Sequence, residues 1–318
     1  MPALFKPYDL ENTSHRRFDY DMDVRDYAHA TVYPIGGVNM PRDSAAGIFD
    51  STGSHIRAAG LERNWAPILG TPEPLPASQV AFRDEEVILG GYIAHHYGHF
   101  LLESLARIWA CKPSKLRILW AAGRQFRDWE LEILATLGID PDRHLILRHP
   151  TRFARILVPT PGFIIRRNFH MLQRDALAAR DCSIGSEKVY LSRSRFVSKI
   201  ANIADETVVE EILRRAGWRI VHPELLTFRE QLDIFASSAT IAGIEGSALH
   251  TAILCRNPKA RLLILRRQDR NANYDTIAKA TGLDQRNLLD QIEGVEGDRV
   301  AGRITDPLAC AELIMASA

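Results

Sequence analysis

The chain has 318 residues, of which 46% are hydrophobic and 25% are charged, a composition typical of globular proteins. Forty Lys and Arg residues oppose 39 Asp and Glu residues, and the formal net charge is +1. No overall field therefore favours nucleic acid or an anionic membrane as a partner. The length is sufficient for two domains.

The cysteines and the N-terminus indicate where the protein works. Cys111, Cys182, Cys255 and Cys310 form no C-x-x-C pair, so neither a zinc site nor a disulfide framework is predicted. Residues 1–26 carry charges where a signal peptide would need an apolar stretch. No run of about 20 apolar residues provides a membrane-spanning helix. We therefore predict a cytoplasmic protein that meets a membrane only peripherally.

The first half of the chain predicts an open parallel sheet. Residues 1–30 are polar and aperiodic and are predicted to form an N-terminal arm, and a loop-rich stretch follows. From residue 85 onward, apolar strand patterns alternate with helical spacing, as in the helix predicted over 97–110. Such alternation is typical of a parallel sheet covered by helices. We assign residues 31–165 to a first Rossmann-like domain.

The second half repeats the alternation after a connecting helix predicted over 168–179. Strands are predicted at 189–191, 218–221, 239–243 and 260–267, with helices between them. One helix carries the capping box of Thr227 and Glu230. Residues 166–318 are therefore assigned to a second Rossmann-like domain, and the fold class is α/β.

A glycine turn follows one of these strands. The apolar strand is predicted to end at Gly243, with a helix beginning near Ser247. Gly243 and Gly246 let the backbone turn sharply and approach a ligand. The amides of Gly246, Ser247 and Ala248, with the positive end of the helix, predict a phosphate or diphosphate site. The alternative is that the glycines serve only the geometry of the turn.

Two arginines and a glutamate follow other strands. Arg193 and Arg195 lie just beyond the strand 189–191, at the edge where open α/β sheets bind ligands. A guanidinium there could hold a diphosphate and offset the charge of a leaving group. The alternative is a solvated arginine pair. Glu224 follows the strand 218–221 and could contact sugar or ribose hydroxyls.

A histidine cluster opens the helix at 97. His99 lies in the first turn, with Glu103 at i+4 on the same face. The helix N-terminus disfavours an imidazolium, so His99 could act as a base, with Glu103 orienting it or acting as the base itself. His95, His99 and Glu103 could share a metal, but the H-E-x-x-H pattern is absent and no metal site is predicted. The alternative is that the histidines cap and pack the helix end.

These pieces occur in an order that resembles glycosyltransferase family 61. The order is G-H-F-L-L-E-S-x-x-R-x-W, V-Y-L-S-R-S, N-x-x-D-E, G-W-x-I-V-H-P-E, L-T-F-x-E-Q and I-A-G-x-E-G-S-A-L, over residues 81–281. The resemblance implies a GT-B fold, in which two Rossmann-like domains face each other across a cleft. It also implies inverting transfer from a nucleotide sugar, usually a UDP-sugar, in capsular or other surface polysaccharide synthesis.

The resemblance also implies roles for individual residues. Arg193 would take the arginine position of the family's S-R motif near the diphosphate, and Gly243, Gly246 and Ser247 would match its glycine loop. Many members carry His-Gly-Ala where this chain has Glu245-Gly246-Ser247. Glu245 is therefore expected to contact ribose or donor-sugar hydroxyls, while His250 takes over a phosphate contact.

The sequence thus predicts a hexosyl- or pentosyltransferase with an acceptor-side domain and a donor-binding domain. The acceptor would be a glycan or a lipid-linked glycan, and no cofactor or essential metal is implied because fixed positive groups can replace one. One alternative is a non-catalytic partner that binds a nucleotide sugar or polysaccharide in an assembly complex. A Rossmann oxidoreductase is disfavoured because no G-x-G-x-x-G follows an early strand. The oligomeric state is left open.

Overall fold

The computed structural model describes residues 21–35, 45–63, 66–196, 203–267, 271–295 and 298–318. The first 20 residues of the predicted N-terminal arm lie outside these ranges. Within the described ranges, no helix combines the length and the apolar character needed to cross a bilayer.

The first half of the chain contains twelve described strands, several of them very short, and four α-helical segments. The strands are β1 (Val24–Ala28), β2 (Thr31–Tyr33), β3 (Gly47–Phe49), β4 (Glu62–Arg63), β5 (Ala66–Pro67), β6 (Ala81–Gly91), β7 (Arg117–Ala121), β8 (His144–Leu147), β9 (Thr151–Pro159), β10 (Phe163–Ile164), β11 (Asn168–Phe169) and β12 (Arg180–Asp181). The helices are α1 (Tyr97–His99), α2 (Ile108–Cys111), α3 (Asp128–Thr136) and α4 (Met171–Leu177), with a π-helical segment (Phe100–Ser104) between α1 and α2.

Seven of these strands form one mixed sheet in the order β3-β2-β9-β6-β7-β8, with β1 also paired to β9. Strands β6 to β9 are parallel, as the alternating pattern predicts, whereas β1, β2 and β3 are antiparallel. The last part of the predicted arm is therefore a strand. Its residues pair in register from Val24 opposite Pro159 to Ala28 opposite Arg155. Backbone pairing holds β1 in the sheet, and its side chains stay exposed or half-buried, so it lacks a strong apolar pattern.

The second half contains β13 (Lys188–Leu191), β14 (Ile203–Ala204), β15 (Arg219–Val221), β16 (Thr240–Ile244), β17 (Cys255–Arg256), β18 (Arg261–Leu265), β19 (Gln285–Leu288), β20 (Ile292–Val295) and β21 (Asp298–Ile304). Its α-helices are α5 (Glu206–Arg215), α6 (Phe228–Ser237), α7 (Asn273–Thr281) and α8 (Pro307–Ser317), and a 3-10 helix spans Ser247–Leu254. Strands β15-β13-β16-β18-β19 form a fully parallel sheet in that order. The predicted capping box closes the start of α6 through Thr227 and Glu230.

Three buried clusters hold these layers together. One lies on one face of the first sheet and includes Val87 and Phe153. Another lies on one face of the second sheet and includes Tyr190. The largest contains residues of both halves, including Phe100 and Ile253. The helical segment that starts at Tyr97 and the 3-10 helix Ser247–Leu254 therefore share one core, and this contact places the candidate site.

Candidate active site

The two predicted halves of the site meet at Gly98. A Cβ atom at Gly98 would lie 2.8 Å from His250 Nδ1 and 3.1 Å from Ser247 Cβ. Both distances are shorter than ordinary van der Waals contacts, so a larger side chain at position 98 would collide with these two residues. Next to it, the Tyr97 hydroxyl and the Thr251 hydroxyl lie 2.8 Å apart. Glycine at position 98 thus lets the helix that carries His99 lie directly against the glycine turn.

The helix that carries His99 is interrupted by the π-helical segment Phe100–Ser104. The Leu105 amide donates to the Phe100 carbonyl at 3.1 Å, a wider step than the α-helical one. Phe100, Leu101, Leu102 and Glu103 are all buried in this segment. Such π-helical turns occur often at functional sites, and this one carries Glu103 into the protein next to His99.

Glu103 is paired on both sides. Its two carboxylate oxygens accept from Arg63 Nε at 2.7 Å and Arg63 Nη2 at 2.8 Å. His99 Nδ1 lies 2.8 Å from Glu103 Oε2. Glu103 is only 3% exposed, whereas His99 is half-buried. The predicted i+4 pairing of His99 and Glu103 is confirmed, and Arg63 is a partner that the sequence did not reveal.

These contacts distinguish the roles of His99 and Glu103. Burial alone would raise the pKa of Glu103, but the hydrogen bonds from Arg63 and His99 outweigh it and hold that pKa below its usual value. The Glu103 carboxylate only accepts hydrogen bonds, so the 2.8 Å contact makes His99 Nδ1 a donor to Glu103, in preference to an acceptor from Arg63 Nη2, which lies 3.2 Å away. In the neutral imidazole, the proton is then on Nδ1. Nε2 then carries the lone pair. Of the two alternatives that the sequence leaves open, this arrangement favours the prediction that His99 is the base and Glu103 orients it.

Gly243 and Gly246 were predicted to let the backbone turn sharply, but in the structure both glycines instead allow close packing. Gly243 lies inside β16, and a Cβ there would come to 2.9 Å from the Leu191 carbonyl oxygen, so it serves close packing of neighbouring strands. Gly246 has φ −171°, an extended conformation open to any residue. A Cβ there would lie 3.0 Å from Arg193 Nη1. Neither glycine therefore provides a left-handed turn, and Gly246 leaves room for the Arg193 guanidinium.

Backbone donors remain open at the start of the 3-10 helix. The Gly246 carbonyl accepts from the Leu249 amide at 3.2 Å and from the Tyr274 hydroxyl at 2.9 Å. Within the described ranges, the amides of Gly246, Ser247 and Ala248 have no backbone acceptor, and all three residues are half-buried. Open amides at a helix start are suited to an anion. The helix is 3-10 rather than α, but its first amides are equally free.

Arg193 lies where the sequence predicts it, beside this turn. Its Nη1 donates to the Glu245 carbonyl at 3.0 Å. A second arginine, Arg267, follows β18 and was not predicted as a site residue. Burial lowers the pKa of Arg267, and the nearby charge of Arg193 lowers it further. Arg267 Nε and Nη2 are buried and have no hydrogen-bond partner among the described residues. Two neighbouring cations, one with unpaired donors, are suited to a bound anion.

Glu245 does not face the open amides of the turn. Its Oε2 accepts from the Arg267 backbone amide at 3.2 Å and lies 3.4 Å from Arg266 Nε. Burial raises the pKa of Glu245, although Arg266 partly opposes this effect. The carboxylate thus braces the start of the segment that carries Arg267. Its predicted contact with donor hydroxyls remains a prediction.

His250 is buried between the two halves. Its ring stacks on Tyr274 with centroids 4.7 Å apart, and neither ring nitrogen has a hydrogen-bond partner among the residues that the structure describes. Burial, with smaller contributions from His99 and His96, lowers the pKa of His250 to about 3. The imidazole is therefore neutral at physiological pH, and its side chain faces Gly98. The predicted phosphate contact of His250 would have to come from a neutral donor.

The remaining predicted residues lie apart from this group. Arg195 and Glu224 are both exposed. Within the described ranges, no hydrogen bond or ion pair connects either side chain to the glycine turn. His95 contacts Arg127, whose Nη2 lies 2.6 Å from His95 Nδ1. In the described part of the chain, no group of three or more His, Cys, Asp or Glu residues is arranged to hold a metal ion.

A comparison with protein families agrees with this geometry. The sequence model described as Glycosyltransferase 61 matches residues 97–263, just over half of the chain. The matched segment begins at the helix of His99 and ends within β18, so it contains Arg193 and the glycine turn but neither Arg63 nor Arg267. A comparison with curated protein sequences found no significant match to the chain. The family implies glycosyl transfer from a nucleotide-sugar donor to a glycan acceptor. The chain belongs to glycosyltransferase family 61.

Proposed function

We propose that the protein is an inverting glycosyltransferase that moves a hexose or pentose from a nucleotide sugar, first of all a UDP-sugar, to a hydroxyl of a glycan or lipid-linked glycan. In this proposal residues 31–165 form the acceptor-side domain and residues 166–318 the donor-binding domain of a GT-B arrangement. The protein would work in the cytoplasm, at or near the membrane, in surface or capsular polysaccharide synthesis.

One observation supports this function most directly. Gly98 packs against Ser247 and His250, so the oriented base His99 and the open amides of the glycine turn lie next to each other. A base and an anion site at one place are what displacement of a nucleoside diphosphate by a hydroxyl requires. They come from opposite halves of the chain, and only their contact assembles the site.

The proposed reaction is a single displacement at the anomeric carbon. His99 Nε2 takes the proton of the acceptor hydroxyl, and the acceptor oxygen forms the new bond to that carbon. The bond between the anomeric carbon and the diphosphate oxygen breaks on the opposite side, so the configuration inverts. Glu103 holds the imidazole and stabilises the imidazolium that forms. Arg193, Arg267 and the amides of Gly246–Ala248 stabilise the departing diphosphate.

Thermal-shift measurements with UDP-, GDP- and CMP-sugars test the donor half of the proposal. A ligand that binds the native state stabilises it by about 2.7 kcal/mol at a hundredfold excess over Kd. We expect UDP-sugars to raise the unfolding temperature of the wild type and not that of Arg193→Ala. Arg195→Ala is the matched control and should respond like the wild type. A flat response of the wild type to every nucleotide sugar would overturn the proposal.

A transfer assay separates catalysis from binding alone. A non-catalytic partner of an assembly complex would bind a nucleotide sugar but would neither transfer nor hydrolyse it. The paired His99 and Glu103 favour catalysis, since simple binding has no use for an oriented base. Release of nucleoside diphosphate that depends on His99 supports the transferase, and donor binding without any turnover supports the alternative.

A further inference from the structure

Glu206 lies beneath the turn that carries Arg193. It opens α5, and its Oε1 accepts from the Arg193 backbone amide and from the Tyr190 hydroxyl, both at 3.1 Å. One turn further along α5, Glu210 accepts from the Ser192 hydroxyl at 2.6 Å. Two carboxylates of one helix therefore hold the Ser192–Arg193 segment from below. The proposed chemistry uses neither of them.

The surroundings of Glu206 disfavour a negative charge. The side chain is 1% exposed, and within the part of the chain that the structure describes its buried Oε2 has no hydrogen-bond partner. Burial raises the pKa of Glu206 to about 7, with the neighbouring Glu210 adding to the rise, while the amide of Arg193, the Tyr190 hydroxyl and the charge of Arg193 oppose it. Glu206 is thus a buried carboxyl group whose protonation responds to the charge at Arg193.

Other charged and titratable groups also face Glu206 from the elements around it. Tyr190 belongs to β13 and Glu210 to α5 itself, and Cys310 belongs to α8, which packs on α5. Arg267 interacts with Glu206 from the far side of the glycine turn. Arg193 and Arg267 are the cations in this set, and they are the groups assigned above to the diphosphate. An anion bound between them would cancel the charge that favours ionised Glu206.

We propose that Glu206 is a positioning residue for Arg193 and that it takes up a proton when the diphosphate group of a nucleotide sugar binds at Arg193 and Arg267. The inference rests on the proposed donor site. As an acceptor, Glu206 holds the Arg193 backbone in either protonation state, because Oε1 keeps its hydrogen bonds. As a titrating group, it links donor affinity to pH.

The sign of the linkage follows from the charges. Bound diphosphate adds negative charge near Glu206, so the pKa of Glu206 is higher in the complex than in the free protein. Between the pKa of Glu206 in the free protein and its higher pKa in the complex, the complex holds more protons than its components, so donor affinity falls as pH rises through that range. The phosphates of a nucleotide sugar are diesters that do not titrate near neutrality, so the proton must come to the protein.

Calorimetric titration with UDP-glucose and with UDP-N-acetylglucosamine, in two buffers of different ionisation enthalpy, measures this proton directly. For the wild type we expect uptake of about half a proton per nucleotide near pH 7.5, and an affinity that falls by up to about tenfold between about pH 6.5 and 8.5. Glu206→Gln should bind with no proton uptake and a flat pH profile over that range, because the amide oxygen still accepts from Arg193 and the charge is gone.

Glu210→Gln is the matched control, since it removes a buried carboxylate one helical turn away. It should keep the proton uptake, with the pH profile displaced to lower pH because Glu210 no longer raises the pKa of Glu206. Uptake that persists in Glu206→Gln would assign the proton to His96 or His99 and overturn the inference. If the wild type binds UDP-glucose or UDP-N-acetylglucosamine without uptake, the inference fails while the donor site stands. If no UDP-, GDP- or CMP-sugar binds to the wild type, the donor site itself is wrong and the inference fails with it.

Discussion

On the proposed acceptor side of the site, both oxygens of Glu103 and the Nδ1 atom of His99 already have partners. Arg63 covers both oxygens of Glu103, and Glu103 holds His99 Nδ1 at 2.8 Å. On the donor side, the amides of Gly246–Ala248 have no backbone acceptor among the described residues, and Arg267 Nε and Nη2 are buried without a partner. Arg193 adds a second positive charge there.

This difference indicates how the two sides work. A paired base keeps its orientation without a ligand, which is the preorganisation that proton transfer requires. Unpaired buried donors cost folding free energy until an anion meets them, so they are typical of a binding site rather than of a structural brace. Under the proposed function, the side with His99 and Glu103 is therefore ordered before binding, and the side with Arg193 and Arg267 is completed by its ligand.

The largest expected effect comes from removing the base. We expect His99→Ala to lower turnover by about 10²- to 10⁴-fold, with donor affinity little changed because His99 does not hold the diphosphate. His95→Ala is the matched control, since that imidazole contacts Arg127, and its turnover should stay near the wild-type value. Steady-state kinetics with a saturating donor would measure both. Normal turnover of His99→Ala would contradict the base assignment.

Removing the ion pair between Arg63 and Glu103 should also destabilise the fold. Arg63→Ala leaves the buried carboxylate of Glu103 without its main partner, and we expect a loss of about 2–4 kcal/mol in unfolding free energy at neutral pH. Because the wild-type contacts lower the pKa of Glu103, their contribution is present above the usual carboxylate range and disappears as the pH falls through the lowered value. The difference between the two proteins in urea unfolding should therefore shrink in acid. A difference that is small at neutral pH would show that the pair is weak.

We expect the smallest effect on folding from the removal of Arg267. Arg267→Ala removes a buried cation with unmet donors, so unfolding free energy should stay the same or rise by up to about 1 kcal/mol. Donor affinity should nonetheless fall about ten- to hundredfold, as for the loss of a charged hydrogen bond. Arg195→Ala, at an exposed arginine, should change neither quantity. Unchanged donor affinity in Arg267→Ala would remove Arg267 from the donor site.

The sequence predicted the elements of the site better than the contacts between them. The strand before Arg193, the strand of Gly243 and the helix of His99 follow from apolar periodicity, which is local. Arg63 escaped prediction because it lies in a two-residue strand with no pattern of its own. Arg267 was not predicted because two consecutive arginines after a strand are typical of a solvent-exposed strand end. Their roles depend on burial, and burial of a polar side chain is decided by neighbours far away in the chain.

The sequence by itself determined the α/β class, the family, the placement of Arg193 at a strand end and the i+4 pairing of His99 with Glu103. Each of these depends on spacing along one segment or on an ordered set of motifs. Only the tertiary structure decided that Gly98 packs on Ser247, that Glu245 turns to Arg266, and that Glu206 lies buried beneath Arg193. The physical reason is that side-chain pairing and desolvation arise between segments more than 30 residues apart or on separate elements, where local propensity carries no information.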